Sequence, residues 1–244
     1  LVVPEVNPEK AAQRPRGIIS NPNCTTLSMI VALGALHRSY GLESLVVASY
    51  QAASGAGQAG IDTLREQTEA VAGTDAGTRA GDVRATVGDY GPFPAPLALN
   101  VVPWAGSLKE AGYSSEELKV RNETRKILDL PDLPVFATCV RVPVVTTHSL
   151  AIHARFASEV DADHARDVLT QSPSVVVVDD PAAGEFPTPA DAVGTDPTHV
   201  GRIRKSLDDP FALDLFLCGD NLRKGAALNT AQIAELLAAE FTPA

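Results

Sequence analysis

The residues predict an α/β or α+β fold, with a sheet covered by helices on one face. β-Branched runs alternate with longer segments of helical period, a pattern that requires a sheet backed by helices. No internal repeat interrupts it. The 244 residues, 45% hydrophobic and 20% charged, suffice for one large core or two modest ones.

The chain opens on Leu1-Val2-Val3-Pro4, which reads as the end of a strand, and a polar loop runs to Gly17. Ile18-Ile19-Ser20 is expected to be a short strand that delivers Cys24 to an apolar helix ending near residue 38. Leu45–Gln51 is a buried strand that stops at the glycine turn Ser54-Gly55-Ala56-Gly57, and a helix follows over Ile61–Val71. Residues 72–96, rich in Gly, Asp, Ala and Pro without period, form a long surface loop or partner arm in which no chemistry is expected. Leu97–Pro103 is expected to be a strand. Ser114–Leu128 is a helix whose start is marked by a capping box, Ser114 with Glu117. Val135–Val145 and His148–Phe156 are β-branched runs separated by Thr146-Thr147, which predicts two strands joined by a tight connection. A helix over Asp161–Ser172, a strand over Ser174–Asp179 and a loop through Pro197 come next. Strands at His199–Lys205 and Phe211–Cys218 precede a closing amphipathic helix at Ala226–Glu240.

Bulk charge excludes several classes. A net charge of -10 with no basic stripe argues against nucleic-acid binding. No apolar run reaches the roughly 20 residues of a membrane helix, and no signal-peptide pattern opens the chain, so a cytoplasmic protein is expected. The cysteines Cys24, Cys139 and Cys218 are too few for a disulfide framework and too scattered for a metal site. With its single methionine at Met29, the chain reads as an excerpt of a longer protein. No pyrophosphate-binding glycine loop is expected within it.

Cys24 stands where a polar turn runs into a helix. Free amides and the positive end of the helix dipole lower a thiol pKa from about 8.5 toward roughly 3.5–7.5, which makes Cys24 a candidate nucleophile. A small buried residue at a helix start explains the position equally well. Asn21–Thr26, Tyr50–Gly57, Glu116–Lys119, Cys139–Val144 with His148-Ser149, and Asp220–Asn229 resemble, in this order, the signatures of the aspartate-semialdehyde dehydrogenase family.

The resemblance implies an α+β fold with a mixed sheet covered by helices on one face, a C-terminal domain like that of glyceraldehyde-3-phosphate dehydrogenase, and NADP-linked reductive dephosphorylation of aspartyl 4-phosphate to aspartate semialdehyde through a cysteine thioacyl group. That step feeds biosynthesis of lysine, threonine, methionine, isoleucine and diaminopimelate. Cys24 would be the nucleophile and His148 the acid/base. Arg141 would grip the substrate's α-carboxylate with its guanidinium fork, Gln51 would touch substrate near the thiol, Glu116 would meet its ammonium and Lys119 the phosphate. Glu116 and Lys119 alone read as an ordinary i,i+3 pair. Ser54, Gly55 and Asn221 would approach the NADP, though Asn221 equally reads as a helix cap. Glu123, Arg125 and Lys126 read as surface or interface residues, and His37, His153, His164 and His199 as structural.

By the same resemblance, residues 1–20 are a remnant of the nucleotide-binding domain and linker, 21–218 the catalytic and dimerisation domain, and 219–244 a helix that returns to the nucleotide-binding domain. The glycine loop, the residues choosing NADP over NAD and an upstream phosphate arginine have no counterpart here, so the segment alone is expected to be inactive. A homodimer is implied. Two other readings remain open: a related acyl-phosphate reductase such as N-acetylglutamyl-phosphate reductase, against which the set Glu116, Lys119 and Arg141 speaks, and a non-catalytic dimerisation or substrate-binding module.

Overall fold

A single helix, α1 (Cys24–Tyr40), organises the core, because its residues from Thr25 to Leu36 are buried on every side. In this computed structural model, residues 1–14 and 16–241 are described. Strands β1 (Leu42–Gln51), β2 (Val135–Arg141), β3 (His148–Phe156), β4 (Val175–Val177), β5 (Thr198–Lys205) and β6 (Ala212–Gly219) form one sheet in the order β2-β1-β3-β6-β5-β4. β1–β2 and β4–β5 pair in parallel and the other neighbours are antiparallel, so the sheet is mixed.

β1 alternates between the two faces. Leu45, Val47, Ser49 and Gln51 point inward, whereas Val46 and Tyr50 are exposed. Helices α1, α4 (Ser115–Leu128) and α5 (Ala162–Thr170) cover the inner face. On the outer face a loop carrying the one-turn helix α6 (Pro189–Ala192) covers the β5–β6 end, while Val46, Tyr50 and Phe136 stand in the open.

The capping box at Ser114 and Glu117 is present, and Glu117 also accepts the Cys139 amide of edge strand β2 through its second oxygen. Four local expectations need correction. Ile18–Ser20 is irregular; among the described residues no strand pairs with it, and Ile18 is 70% exposed. Leu97–Pro103 makes only one bridge, Val102 to Arg141, because Leu99 turns into positive φ and interrupts the extended run. The runs that end at Val145 and begin at His148 do not pair as a hairpin: β2 ends at Arg141, and β2 and β3 lie on opposite sides of β1. A β-branched run marks a strand but says nothing of its neighbour. Residues 72–96 contain a short helix, α3 (Asp82–Val87), and Pro92, Phe93 and Pro94 reach the candidate site.

The remaining helices differ in their starts. α2 begins at Gly57 and runs to Val71. A π-helical turn, Arg223–Ala227, precedes the closing helix α7 (Leu228–Phe241). Of the tail expected to run to residue 244, residues 242–244 lie outside the described residues. No described helix is long and apolar enough to cross a membrane.

Candidate active site

Asn23 caps α1, accepting the Thr25 and Thr26 amides on its Oδ1, and so fixes Cys24 as the first helical residue. Its sulfur lies 3.3 Å from Nε2 of His148. His148 is the first residue of β3 and is fully buried, and its Nδ1 accepts the Ala52 amide at 3.1 Å. With Nδ1 an acceptor, the neutral ring carries its proton on Nε2, toward the sulfur. A second proton would have to enter at Nδ1, against the Ala52 N–H. Burial, helped by the Arg141 charge, accordingly pulls the His148 pKa down to about 3.

The thiol does not follow the expectation from the helix start. Burial and the nearby Glu116 carboxylate push the Cys24 thiol up, outweighing the Thr25 amide and the Arg141 guanidinium, which pull it down. The helix-end field is real, but desolvation of a sulfur anion is the larger effect here. Cys24 and His148 therefore rest as a neutral pair.

Arg141 ends β2 with its side chain buried, donating from Nη1 to the Ala52 carbonyl at 2.7 Å. Among the described residues no carboxylate pairs with it. A buried guanidinium without a counter-ion is costly unless an anion completes the site. Gln51 is fully buried as well: its Oε1 accepts from Ser49, and its Nε2 has no partner. A guanidinium without a counter-ion and an amide donor without an acceptor thus stand ready for a ligand.

Glu116 takes Asn23 Nδ2 on one oxygen and Lys119 Nζ on the other, at 2.7 and 2.8 Å. Lys119 is half exposed and keeps its i,i+3 partner. Glu116, Arg141 and Gly55 line a cleft of about 240 Å3 together with Phe93 and Trp104. A larger basin of about 940 Å3, bordered by Lys10, Arg125 and Lys126, contains none of the candidate residues.

Ser54 and Asn221 are buried and bond each other, and Asn221 Oδ1 also accepts the Thr147 amide at 2.9 Å. The helix-capping alternative for Asn221 does not hold, since Asp220 caps the following turn by accepting the Leu222 and Arg223 amides. Thr147, a β-branched residue at φ 84, holds a strained backbone one residue before His148. A Cβ on Gly55 would stand 2.5 Å from Arg141 Nη1 and 3.2 Å from His148 Cε1, so a side chain here would push the guanidinium out of place.

Two signals were passed over in the sequence. Gly55-x-Gly57-x-x-Gly60 has the spacing of a dinucleotide fingerprint, after β1 and across the start of α2, against the expectation of no such loop. In the structure Gly55 makes room for Arg141 and His148, and Gly60 for the Ala53 carbonyl. Glu123, expected at the surface or an interface, instead accepts the Asn23 amide at 2.7 Å. Its seven-residue spacing from Glu116 was the available clue. Arg125 donates to the Leu133 carbonyl, and His37, His153, His164 and His199 bond the Leu42 amide, Asp214, Tyr40 and Thr195 respectively. Among the described residues, no group of three His, Cys, Asp or Glu side chains could hold a metal ion.

A family model described as semialdehyde dehydrogenase, dimerisation domain, matches residues 33–224. The aspartate-semialdehyde dehydrogenase of Streptomyces akiyoshiensis is 50% identical over 99% of this chain and 70% of its own length. The chain belongs to the aspartate-semialdehyde dehydrogenase family. That family is one of oxidoreductases, and the Corynebacterium glutamicum enzyme is 49% identical over 97% of this chain and 68% of its own length. Among solved structures, aspartate semialdehyde dehydrogenase II from Vibrio cholerae, complexed with ASA, superposes with a TM-score of 0.90 at 38% identity, covering 99% of this chain and 68% of that one. The α+β architecture is therefore that of the family's C-terminal part.

Proposed function

We propose that this chain carries the thiol chemistry and the dimer contact of an NADP-dependent aspartate-semialdehyde dehydrogenase, with aspartyl 4-phosphate and aspartate semialdehyde as substrates. The observation that carries it is the 3.3 Å approach of Cys24 Sγ to His148 Nε2, flanked by the buried Arg141 guanidinium, which has no carboxylate partner among the described residues, and by the unpaired Gln51 Nε2.

Arg141 binds the substrate's α-carboxylate through two parallel N–H bonds, and Glu116 takes its ammonium. Lys119, half exposed at the rim, receives the phosphate. Gln51 Nε2 orients the reacting carbonyl. Cys24 sulfur attacks the acyl carbon; the C–S bond forms, the C–O bond to phosphate breaks and phosphate leaves with the bonding pair. With its proton on Nε2, His148 donates to the Cys24 sulfur and steadies the anion; to take the thiol proton at Nε2 as a base, the ring must first shift its own proton to Nδ1, which breaks the bond from the Ala52 amide.

Ser54, Gly55 and Asn221 are the residues that would hold the nicotinamide end. They fit that role in part: Gly55 and Gly57 are exposed, and the α2 start has no side-chain cap to compete for its amides. The reduced cofactor, when bound, supplies hydride to the thioacyl carbon.

Residues 1–20 and 219–244 go with a nucleotide-binding domain in this reading, supported by the separate cluster of Val2, Ala11 and Ile233 that packs the two segments on each other, while Val3 joins the main core. The open outer sheet face, with Val46, Tyr50 and Phe136, is the surface for a second copy.

The test is alkylation of this chain, followed at each cysteine by mass spectrometry, with and without aspartate semialdehyde. Cys24 should react fastest, the aldehyde should protect it, and Arg141→Lys should abolish the protection. Labelling of Cys24 no faster than that of buried Cys139 and Cys218, with no protection, would sink the reading.

A further inference from the structure

We propose that Glu123 is a positioning residue for the nucleophile and acts through Asn23; this rests on the reading of Cys24 as the reacting thiol. A helix that starts with a capping box satisfies the N-cap's own amide with a glutamate at its third helical position. In α1 that position is Thr26, which has no carboxylate or amide to reach back to the cap, so the helix cannot close a box on itself. Helix α4 closes it instead. Glu123 Oε2 accepts the Asn23 amide at 2.7 Å, which makes a capping box divided between two helices.

Two turns earlier on the same face of α4, Glu116 holds the Asn23 side chain through Nδ2 at 2.7 Å. Asn23 thus has its amide on Glu123, its Nδ2 on Glu116 and its Oδ1 on the Thr25 and Thr26 amides. Every polar contact that sets its orientation is taken. Cys24 is the next residue, so the direction in which its sulfur leaves the helix start is set by Asn23. The two carboxylates have separate duties. Glu116 lines the cleft and is given up to the substrate's ammonium, whereas Glu123 does not line it and keeps Asn23 in place when Glu116 lets go.

The experiment compares this chain with its Glu123→Ala and Glu123→Gln variants. It reads amide hydrogen exchange at Asn23 and the rate of Cys24 alkylation, each with and without His148→Asn. Leaving a buried donor without its acceptor is worth roughly tenfold or more. Glu123→Ala should therefore speed Asn23 exchange about tenfold and cut the His148-dependent part of the alkylation rate by a similar factor. Glu123→Gln retains an acceptor oxygen and should hold both within about twofold.

Unchanged exchange in Glu123→Ala would overturn the clamp. Faster exchange with the His148-dependent ratio intact would reduce Glu123 to a stability cap and overturn the positioning role. Should Glu123→Gln behave like Glu123→Ala, charge rather than acceptor geometry would be acting, which also overturns it. If His148→Asn has no effect in the parent chain, the acid/base reading fails by itself, and the clamp is then judged by whether Glu123→Ala, but not Glu123→Gln, changes the absolute Cys24 rate. Glu123→Asp, which withdraws the carboxylate by one methylene, gives the same comparison if the alanine variant does not fold.

Discussion

At the scale of single residues, the site is set by what burial does to charge. Cys24 is held above its ordinary pKa and His148 far below, at about 3, so the pair is neutral across the physiological range. Cys24 alkylation should therefore rise with pH only through the thiol's own titration, above about 9, with no step near 6.5. A step between pH 6 and 7 that vanishes in His148→Asn would contradict this. The same depressed pKa makes a stability prediction. The unfolded chain takes up the His148 proton near pH 6.5 and the folded chain only near 3, so this contribution is complete above about 6.5 and is lost as pH falls toward 3. The slope from this group is at most about 1.4 kcal/mol per pH unit, and His148→Asn should remove it from urea-denaturation midpoints taken across that window. Cys24, Arg141 and Gln51 were legible as residue types in their motifs; the direction of the thiol shift was not, because desolvation depends on neighbours far away in the chain.

At the scale of elements, α4 does three jobs. Its own start is capped by Ser114 and Glu117, its Glu117 also binds the Cys139 amide of β2, and its Glu116 and Glu123 hold the start of α1. Glu117→Ala should cost about 1–3 kcal/mol in urea denaturation, combining a lost cap with an orphaned strand amide. A loss below about 0.5 kcal/mol would show that water replaces both contacts. The capping box could be read from spacing because it is local. The strand over Leu97–Pro103 was misread for the opposite reason: apolar β-branched residues suit a strand, but only a neighbouring backbone makes one, and Leu99 leaves the extended region before that can happen.

At the scale of the whole molecule, the two chain ends are joined by a buried charge. Lys224 is fully buried in the π-helical turn and donates to both oxygens of Glu5, to Asn229 and to Gln232, while Asn229 reaches Asn21 of the cysteine turn. Burial pushes the Glu5 carboxyl up, but Lys224 and Ser174 outweigh it and keep it ionised below its ordinary value. Lys224→Met should cost roughly 3–5 kcal/mol, since it strands the Glu5 charge, and adding Glu5→Gln should recover part of that in a double-mutant cycle. Recovery of nothing would mean that the pair is not coupled. On the outer face, Phe136→Asp should convert a dimer into monomers in sedimentation velocity, as the patch around Val46 and Tyr50 would then carry a charge into the contact. An unchanged sedimentation coefficient would place the dimer contact elsewhere.

The sequence by itself determined the fold class, most of the helices and strands, and the candidate residues, because hydrophobic period, capping signals and short motifs act within a few residues of one another. Only the tertiary structure decided that β2 and β3 flank β1, that the thiol is raised and the imidazole lowered, and that Glu123 serves Asn23 across a separation of 100 residues. Strand order, desolvation and hydrogen bonds between helices depend on distances in space, and these exist only once the chain has closed on itself.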